Sequence, residues 1–182
     1  MGRCKQLLPL GDKPVIRRCL ETLLAAGLED VTVVLAPSGR DIAQVVQGLG
    51  VVIAWNNDPM SDMAGSVRIG LQAMPESAEA VLVCLTDHPL VLPETVQTLL
   101  QCHLADREQI IIPTCRGRKG HPTLFPRAAI EEIFQVPILR DVVRKDPARV
   151  RLVEVPDPGT VMDMDTPADY QIILSAFQDA IP

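Results

Sequence analysis

The sequence predicts an α/β fold of three layers, with helices on both faces of a mostly parallel sheet. Three observations carry this. Apolar runs alternate with amphipathic stretches from one end of the chain to the other. The runs are continuous and β-branched, as in strands covered on both faces, rather than alternating as in a sheet with one wet face. Finally, 182 residues suit a single domain, residues 1–182, with enough interior to need no disulfide staples. Connections between parallel strands are then expected to be right-handed.

The elements follow in order. Ile16, Leu20, Leu23 and Leu24 recur at helical spacing between Pro14 and Ala26, and Gly27 suits the position after a helix end. Val31 to Leu35 is a buried strand, Arg40 to Leu49 a helix and Val51 to Ala54 a second strand. A polar loop from Trp55 to Ala64 leads into a helix from about Gly65 to Met74. Ala80 to Leu85 is a strand bounded by Asp87 and Pro89. Pro93 and Glu94 then fit the first turn of a helix reaching Ala105. Gln109 to Pro113 is another strand, and Arg116-Gly117-Arg118-Lys119-Gly120 a basic loop before a short strand from Thr123 to Phe125. Helices are expected over Ala128 to Phe134 and Pro137 to Lys145, a strand over Val150 to Val155, and a turn at Asp157-Pro158-Gly159. Thr166 caps a last helix that carries Tyr170, Ile173, Leu174 and Phe177 on one face.

Composition removes several function classes. A net charge of -6 and an aromatic share of 3% supply neither the basic footprint nor the stacking platforms of a nucleic-acid binder. Five cysteines without Cys-x-x-Cys spacing argue against a disulfide framework or zinc knuckle and for a reducing cytoplasm. No apolar run is long enough to span a bilayer.

In open parallel sheets ligands sit beyond the carboxyl ends of the strands, which directs attention to a few residues. Asp87, in Thr86-Asp87-His88-Pro89, follows a strand and either holds a metal ion or accepts backbone amides in a turn. Asp163, Asp165 and Asp169 form a second acidic group. Asp169 suits the helix start beside Thr166, which leaves Asp165 as the ligand candidate. Gly120-His121-Pro122 beside Arg116, Arg118 and Lys119 either grips an anionic substrate or forms a solvated hairpin. Asn56, Asn57 and Asp58 precede Ser66, whose hydroxyl either faces a ligand or caps its helix. Lys5 either meets a phosphate or is freely solvated.

Lys5-Gln6-Leu7-Leu8-Pro9, Thr86-Asp87-His88-Pro89-Leu90, Gly120-His121-Pro122 and Asp163-Met164-Asp165-Thr166-Pro167 occur in one order. That series resembles the molybdenum-cofactor nucleotidyltransferases, especially the cytidylyltransferase branch, over essentially the whole chain. The resemblance implies a Rossmann-like scaffold of the nucleotide-diphospho-sugar transferase type, whose members share a fold but not a substrate. It implies that Asp87 and Asp165 bind Mg2+, that Lys5 contacts phosphates at the reacting centre, and that Asn56 and Ser66 contact the nucleotide. It places Gly120, His121 and Pro122 beside a pterin. Asp62 stands where the family has glycine. Relatives open with a strand ending in Leu-Ala-Ala-Gly, then x-Ser-x-Arg and Met-Gly, whereas this sequence starts at Met1-Gly2. The first strand and phosphate loop are therefore expected to be absent, which would expose strand edges and apolar surface. A start codon assigned too far downstream is the favoured reason; a degenerate gene and a partner chain or oligomer covering the sheet are the others.

The expected activity is transfer of CMP from CTP to the phosphate of a molybdopterin-type acceptor in the cytoplasm, with release of pyrophosphate. A molybdoenzyme or accessory protein is the expected macromolecular contact, with no nucleic acid and no membrane. Two alternatives stand beside it: a non-catalytic pterin-binding or scaffold protein, and a nucleotidyltransferase using GTP or a sugar phosphate.

Overall fold

The computed structural model describes residues 4–179, so the Met1-Gly2 start lies outside the described residues. A 3-10 turn at Lys5–Leu7 leads into a small antiparallel hairpin, β1 (Pro9–Leu10) with β2 (Lys13–Pro14). Next come α1 (Val15–Ala25), β3 (Thr32–Leu35), α2 (Arg40–Val45), β4 (Val52–Trp55), α3 (Met63–Ala73), β5 (Ala80–Val83) and α4 (Pro93–Ala105). The second half holds β6 (Ile110–Cys115), β7 (Arg118–Lys119), β8 (Thr123–Pro126), α5 (Arg127–Ile130), α6 (Leu139–Arg144), β9 (Val150–Glu154) and α7 (Pro167–Asp179).

β3 and β4 pair in parallel, as do β6 and β9. β8 runs antiparallel to both β5 and β6, so β5, β6 and β9 share one direction and β8 is the reversed strand between them. The β4-α3-β5 crossover brings β5 into the direction of β4. The central strands are thus mostly parallel, as the alternation of strand and helix runs requires. β6 is buried at all six positions, which accounts for the unbroken Ile110-Ile111-Ile112 run. The ladder is interrupted: among the described residues β3 and β5 each have a partner on one edge only.

Four hydrophobic clusters hold the elements together. On one face α1 packs Ile16 and Leu20 on Val33 and Leu35 of β3, together with Ile42 and Val46. On the same side Leu99 of α4 covers Ile111 and Leu124. On the opposite face α3, α5 and α6 contribute Leu71, Ile130 and Val142 against Val81, Ile110, Ile112 and Phe125. At the end of the chain α7 packs Ile173, Tyr170, Leu174 and Phe177 around Leu10, Val15 and Met164, the face its sequence predicts.

Some expected elements are shorter or split. α2 stops at Val45 because Gly48 and Gly50 take positive φ in the connection to β4. The helices expected over Ala128 to Phe134 and Pro137 to Lys145 become α5 with a 3-10 turn at Glu131–Phe134, then the single α6. β6 runs two residues past Pro113 to Cys115, where Arg116 and Gly117, both at positive φ, form a two-residue hairpin loop into β7. No helix among the described residues is long and apolar enough to cross a membrane.

Away from the carboxyl ends of the strands, Arg149 clamps Glu132 through two hydrogen bonds of 2.7 and 2.8 Å, and Lys145 adds a third contact. Arg149 is the main reason the Glu132 carboxyl is held down at about 2. Because the folded value lies below the ordinary one, this stabilisation is complete above pH about 4.5 and is lost as pH falls toward about 2. Glu132→Gln should lower the melting temperature at neutral pH by about 4 to 8 °C, for a loss of about 2 kcal/mol. The difference from the parent should shrink below pH about 4, as read by thermal melts across pH.

Candidate functional site

The carboxyl ends of β5 and β6 and the segments after them build one continuous polar centre. β5 gives way to Thr86 and Asp87, which return on themselves through a hydrogen bond from the His88 amide to the Leu85 carbonyl. Lys5 lies in the opening 3-10 turn, and its Nζ is 3.3 Å from Asp87 Oδ2 and 3.0 Å from Asp165 Oδ1. Beside it Gln6 Nε2 donates to Thr86 Oγ1 at 3.5 Å. Burial works against the Lys5 charge, but the hydrogen bonds and charges of Asp165 and Asp87 outweigh it and raise the pKa, so the ammonium is held protonated.

Two carboxylates so distant in sequence meet because their backbones are joined. The Met164 amide donates to the Asp87 carbonyl at 2.9 Å, and the Met164 side chain is fully buried in the core under α7. Asp165 therefore projects from an anchored residue toward Asp87. Asp169 does what its position predicts: its Oδ2 accepts from the Thr166 amide at 2.7 Å while Thr166 Oγ1 accepts from the Asp169 amide. Asp163 is exposed.

A buried carboxylate fixes the connecting loop. Asp157, 2% exposed, accepts from the Leu92 amide at 2.9 Å, Thr95 Oγ1 at 2.6 Å and the Gly159 amide at 2.9 Å. It thereby ties the segment ahead of Asp165 to the start of α4, the helix that follows Asp87. Thr160 bonds back to the Asp157 carbonyl and accepts the His121 amide at 2.8 Å on its own carbonyl. Gly120 and Gly159 make this packing possible. A Cβ on Gly120 would sit 2.5 Å from the Thr160 oxygen, and one on Gly159 would sit 2.2 Å from the Leu90 oxygen.

That chain of contacts carries Gly120, His121 and Pro122 to the same centre. The rings of His121 and His88 lie 5.0 Å apart, and His88 Nε2 is 3.8 Å from Asp87 Oδ1. Burial first, and the His88 charge second, lower the His121 pKa and favour the neutral ring. Asp87 Oδ1 and His121 Nδ1 are both buried without a hydrogen-bond partner. Cys19 and Cys84 line the recess beneath the two imidazoles. Burial pushes both thiols up to about 12, so the recess offers no thiolate nucleophile.

Asn56 and Ser66 meet on the other side of the sheet interruption. Asn56, 7% exposed, donates from Nδ2 to Ser61 Oγ at 2.7 Å and Ser66 Oγ at 3.3 Å. Ser66 is not the helix cap: Asp62 caps α3, accepting the Gly65 amide at 2.8 Å. The Ser66 hydroxyl lies inside the first turn. Ser66, Gln6 and Thr86 line one cleft, but no direct contact joins Asn56 and Ser66 to the Lys5 centre. Arg118 Nη2 reaches the Val161 carbonyl at 3.4 Å, which ties the basic hairpin to the same loop.

Sequence reasoning singled out Lys5, Asp87, Asp165 and Gly120-His121-Pro122, and the structure brings them together. It missed His88, Asp157 and Thr160. The Thr-Asp-His-Pro motif already contained His88, while the Asp-Pro-Gly-Thr stretch read only as a turn. Two hard carboxylate oxygens on adjoining loops, one of them buried and unpartnered, suit a divalent cation whose remaining ligands are water and substrate phosphates.

The MobA-like NTP transferase domain family matches residues 1–151, and the chain belongs to it. The sequence is 27% identical over 171 residues to nicotine blue oxidoreductase of Paenarthrobacter nicotinovorans, covering 89% of this chain and 83% of that protein. It is 28% identical over 172 residues to 2-C-methyl-D-erythritol 4-phosphate cytidylyltransferase of Frankia casuarinae, with 93% of this chain and 54% of that protein covered. Rv0371c of Mycobacterium tuberculosis superposes with a TM-score of 0.82 at 23% identity, over 96% of this chain and 90% of that one. The same protein in complex with manganese gives 0.74 at 24% identity, over 96% and 93%.

Asp157→Ala should cost about 3 to 5 kcal/mol, since it strands buried donors at Leu92, Thr95 and Gly159. Asp163→Ala, on the exposed side of the same loop, should stay within about 0.5 kcal/mol of the parent. Urea denaturation of the two variants checks the contrast.

Proposed function

We propose that the chain transfers CMP from CTP to the phosphate of a molybdopterin-type acceptor and releases pyrophosphate. The observation that carries this reading is the convergence of Asp87 and Asp165 on Lys5 Nζ, at 3.3 and 3.0 Å, beside the His88–His121 pair. Membership of a nucleotidyltransferase family supports the reaction class. The cytidylyltransferase relative supports CTP as donor, and the manganese complex of the mycobacterial protein supports a divalent metal.

In this reading Asp87 and Asp165 would hold Mg2+. When bound, the ion supplies charge neutralisation on the triphosphate and fixes its orientation. An acceptor phosphate oxygen attacks the α-phosphorus in line. The bond from that phosphorus to the bridging oxygen breaks, and pyrophosphate leaves with the electron pair. The acceptor brings its own nucleophile, so no side chain need form a covalent intermediate, in keeping with the protonated thiols of Cys19 and Cys84. Lys5, held protonated between two carboxylates, exchanges them for phosphate oxygens and steadies charge on the pentavalent phosphorus. Asn56, just after β4, and Ser66, in the first turn of α3, orient the nucleotide. Gly120, His121 and Pro122 face the acceptor, with the unpartnered His121 Nδ1 available to one of its polar atoms.

A second reading keeps the chemistry and changes the acceptor to a sugar or polyol phosphate. The name of the cytidylyltransferase relative favours it. A panel of CTP and GTP against molybdopterin and polyol phosphates, read by pyrophosphate release, separates the two. A binding or scaffold role would show as calorimetric binding of the pterin with no uptake of CTP and magnesium.

Asp87→Ala and Asp165→Ala should each lower pyrophosphate release by at least about 100-fold, and Lys5→Met by about 10- to 100-fold. Full turnover in both aspartate variants would end the metal assignment.

A further inference from the structure

We infer that Tyr170 is a positioning residue for Lys5: its hydroxyl pins the chain just after Lys5 to the helix that begins just after Asp165. The inference rests on the catalytic reading above, which gives Lys5 and Asp165 their roles, and its first test needs no turnover.

Two short stretches of backbone are joined here at two points. At the first, Lys5 Nζ lies 3.0 Å from Asp165 Oδ1. At the second, a few residues further along each stretch, Tyr170 Oη donates to the Pro9 carbonyl at 2.5 Å. The Tyr170 amide donates to the Thr166 carbonyl at 3.1 Å, so the ring is carried by the turn that the Thr166–Asp169 pair closes. Asp165 and the Tyr170 hydroxyl therefore belong to one rigid helix start, and Lys5 and Pro9 to the segment laid across it.

That segment is too short to hold itself. β1 and β2 pair two residues on each side, and an isolated hairpin of any length is marginal in water. α1 and α7 supply the support. Arg18 Nε donates to the Leu10 carbonyl at 2.9 Å, and its guanidinium carbon lies 4.6 Å from the Phe177 ring centroid. Gly11, at φ 67°, turns the hairpin against that pair, where a Cβ would sit 2.7 Å from Phe177 and 2.8 Å from Arg18 Nη2. Arg18 and Phe177 thus hold the tip of the hairpin. Tyr170 holds its base, the end that continues into the turn carrying Lys5. In that turn the Leu8 amide donates to the Lys5 carbonyl at 3.3 Å, and the Leu7 amide to the Cys4 carbonyl at 3.0 Å. The Tyr170 ring packs against the cluster of Leu10, Val15 and Met164, a contact without direction. The hydroxyl bond has direction, and it fixes where Pro9 stands relative to Asp165.

Tyr170→Phe keeps the ring and deletes the bond. In the ligand-free protein it should speed amide exchange at Leu7 and Leu8 at least about fivefold. Glu132→Gln, in the cluster around Arg149, is the control for general destabilisation and should leave both amides at the parent rate. Tyr170→4-aminophenylalanine, which restores a donor, should return exchange to that rate. In the pyrophosphate assay Tyr170→Phe should lower kcat about 3- to 10-fold with KM for CTP within about twofold, because Lys5 acts on charge that develops in the transition state. Unchanged exchange in Tyr170→Phe overturns the inference, as does an equal rise in Glu132→Gln or an unchanged kcat in a parent that turns over. A parent that releases no pyrophosphate counts against the catalytic reading alone, and exchange at Leu7 and Leu8 still decides whether Tyr170 sets the turn.

Discussion

The 2.9 Å hydrogen bond from the Met164 amide to the Asp87 carbonyl is the joint on which the rest of the site is hung. It is a backbone bond, so it fixes the path of both loops and leaves the aspartate side chains free. Two supports hold it in place. Met164 is buried among Leu10, Val15 and Ile173, which sets the depth of the second loop. Asp157 gathers donors from the turn into α4 and from its own loop, which sets the lateral position. With both supports in place the backbone that carries Asp165 is held beside that of Asp87.

The electrostatics of this centre are local. A chain with net charge -6 offers anions no long-range attraction, so the positive charge at this centre is local, from Lys5 and the basic hairpin. Lys5 compensates two carboxylates, which keeps like charges from forcing the loops apart. The neutral His121 and the protonated thiols of Cys19 and Cys84 leave the recess beside them comparatively uncharged. The centre therefore has a charged half around Lys5 and a less charged half around His121.

Much of the fold was legible because burial in this architecture is written as local pattern. β3, β5 and β6 are runs of apolar residues, and α4 and α7 carry their boundaries in Pro93 and in Thr166-Pro167-Ala168-Asp169. What escaped depends on geometry rather than composition. The hairpin of β1 and β2 pairs only two residues on each side, too few to show periodicity. The reversed direction of β8 is set by the Arg116-Gly117 hairpin, after which β7 and β8 both run antiparallel to β6, and nothing in the Thr123-Leu124-Phe125 run itself marks it. Ser66 was open to reading as a cap because serine at a helix start often is one, yet Asp62 lies one residue ahead of the helix and takes the amide. The catalytic candidates stood out because each follows a strand or opens a helix. Asp157 did not, since its partners at Leu92 and Thr95 are distant in sequence.

Gly120 and Gly159 sit where backbone meets backbone, so no rotamer change can relieve an added methyl group. Their neighbours differ: Arg116 and Lys119 project into solvent from the hairpin. A combinatorial library in this loop pair should therefore diversify the exposed hairpin and leave the two glycines fixed. The permissible sequence space of this loop pair is wide at its rim and nearly closed at its hinge.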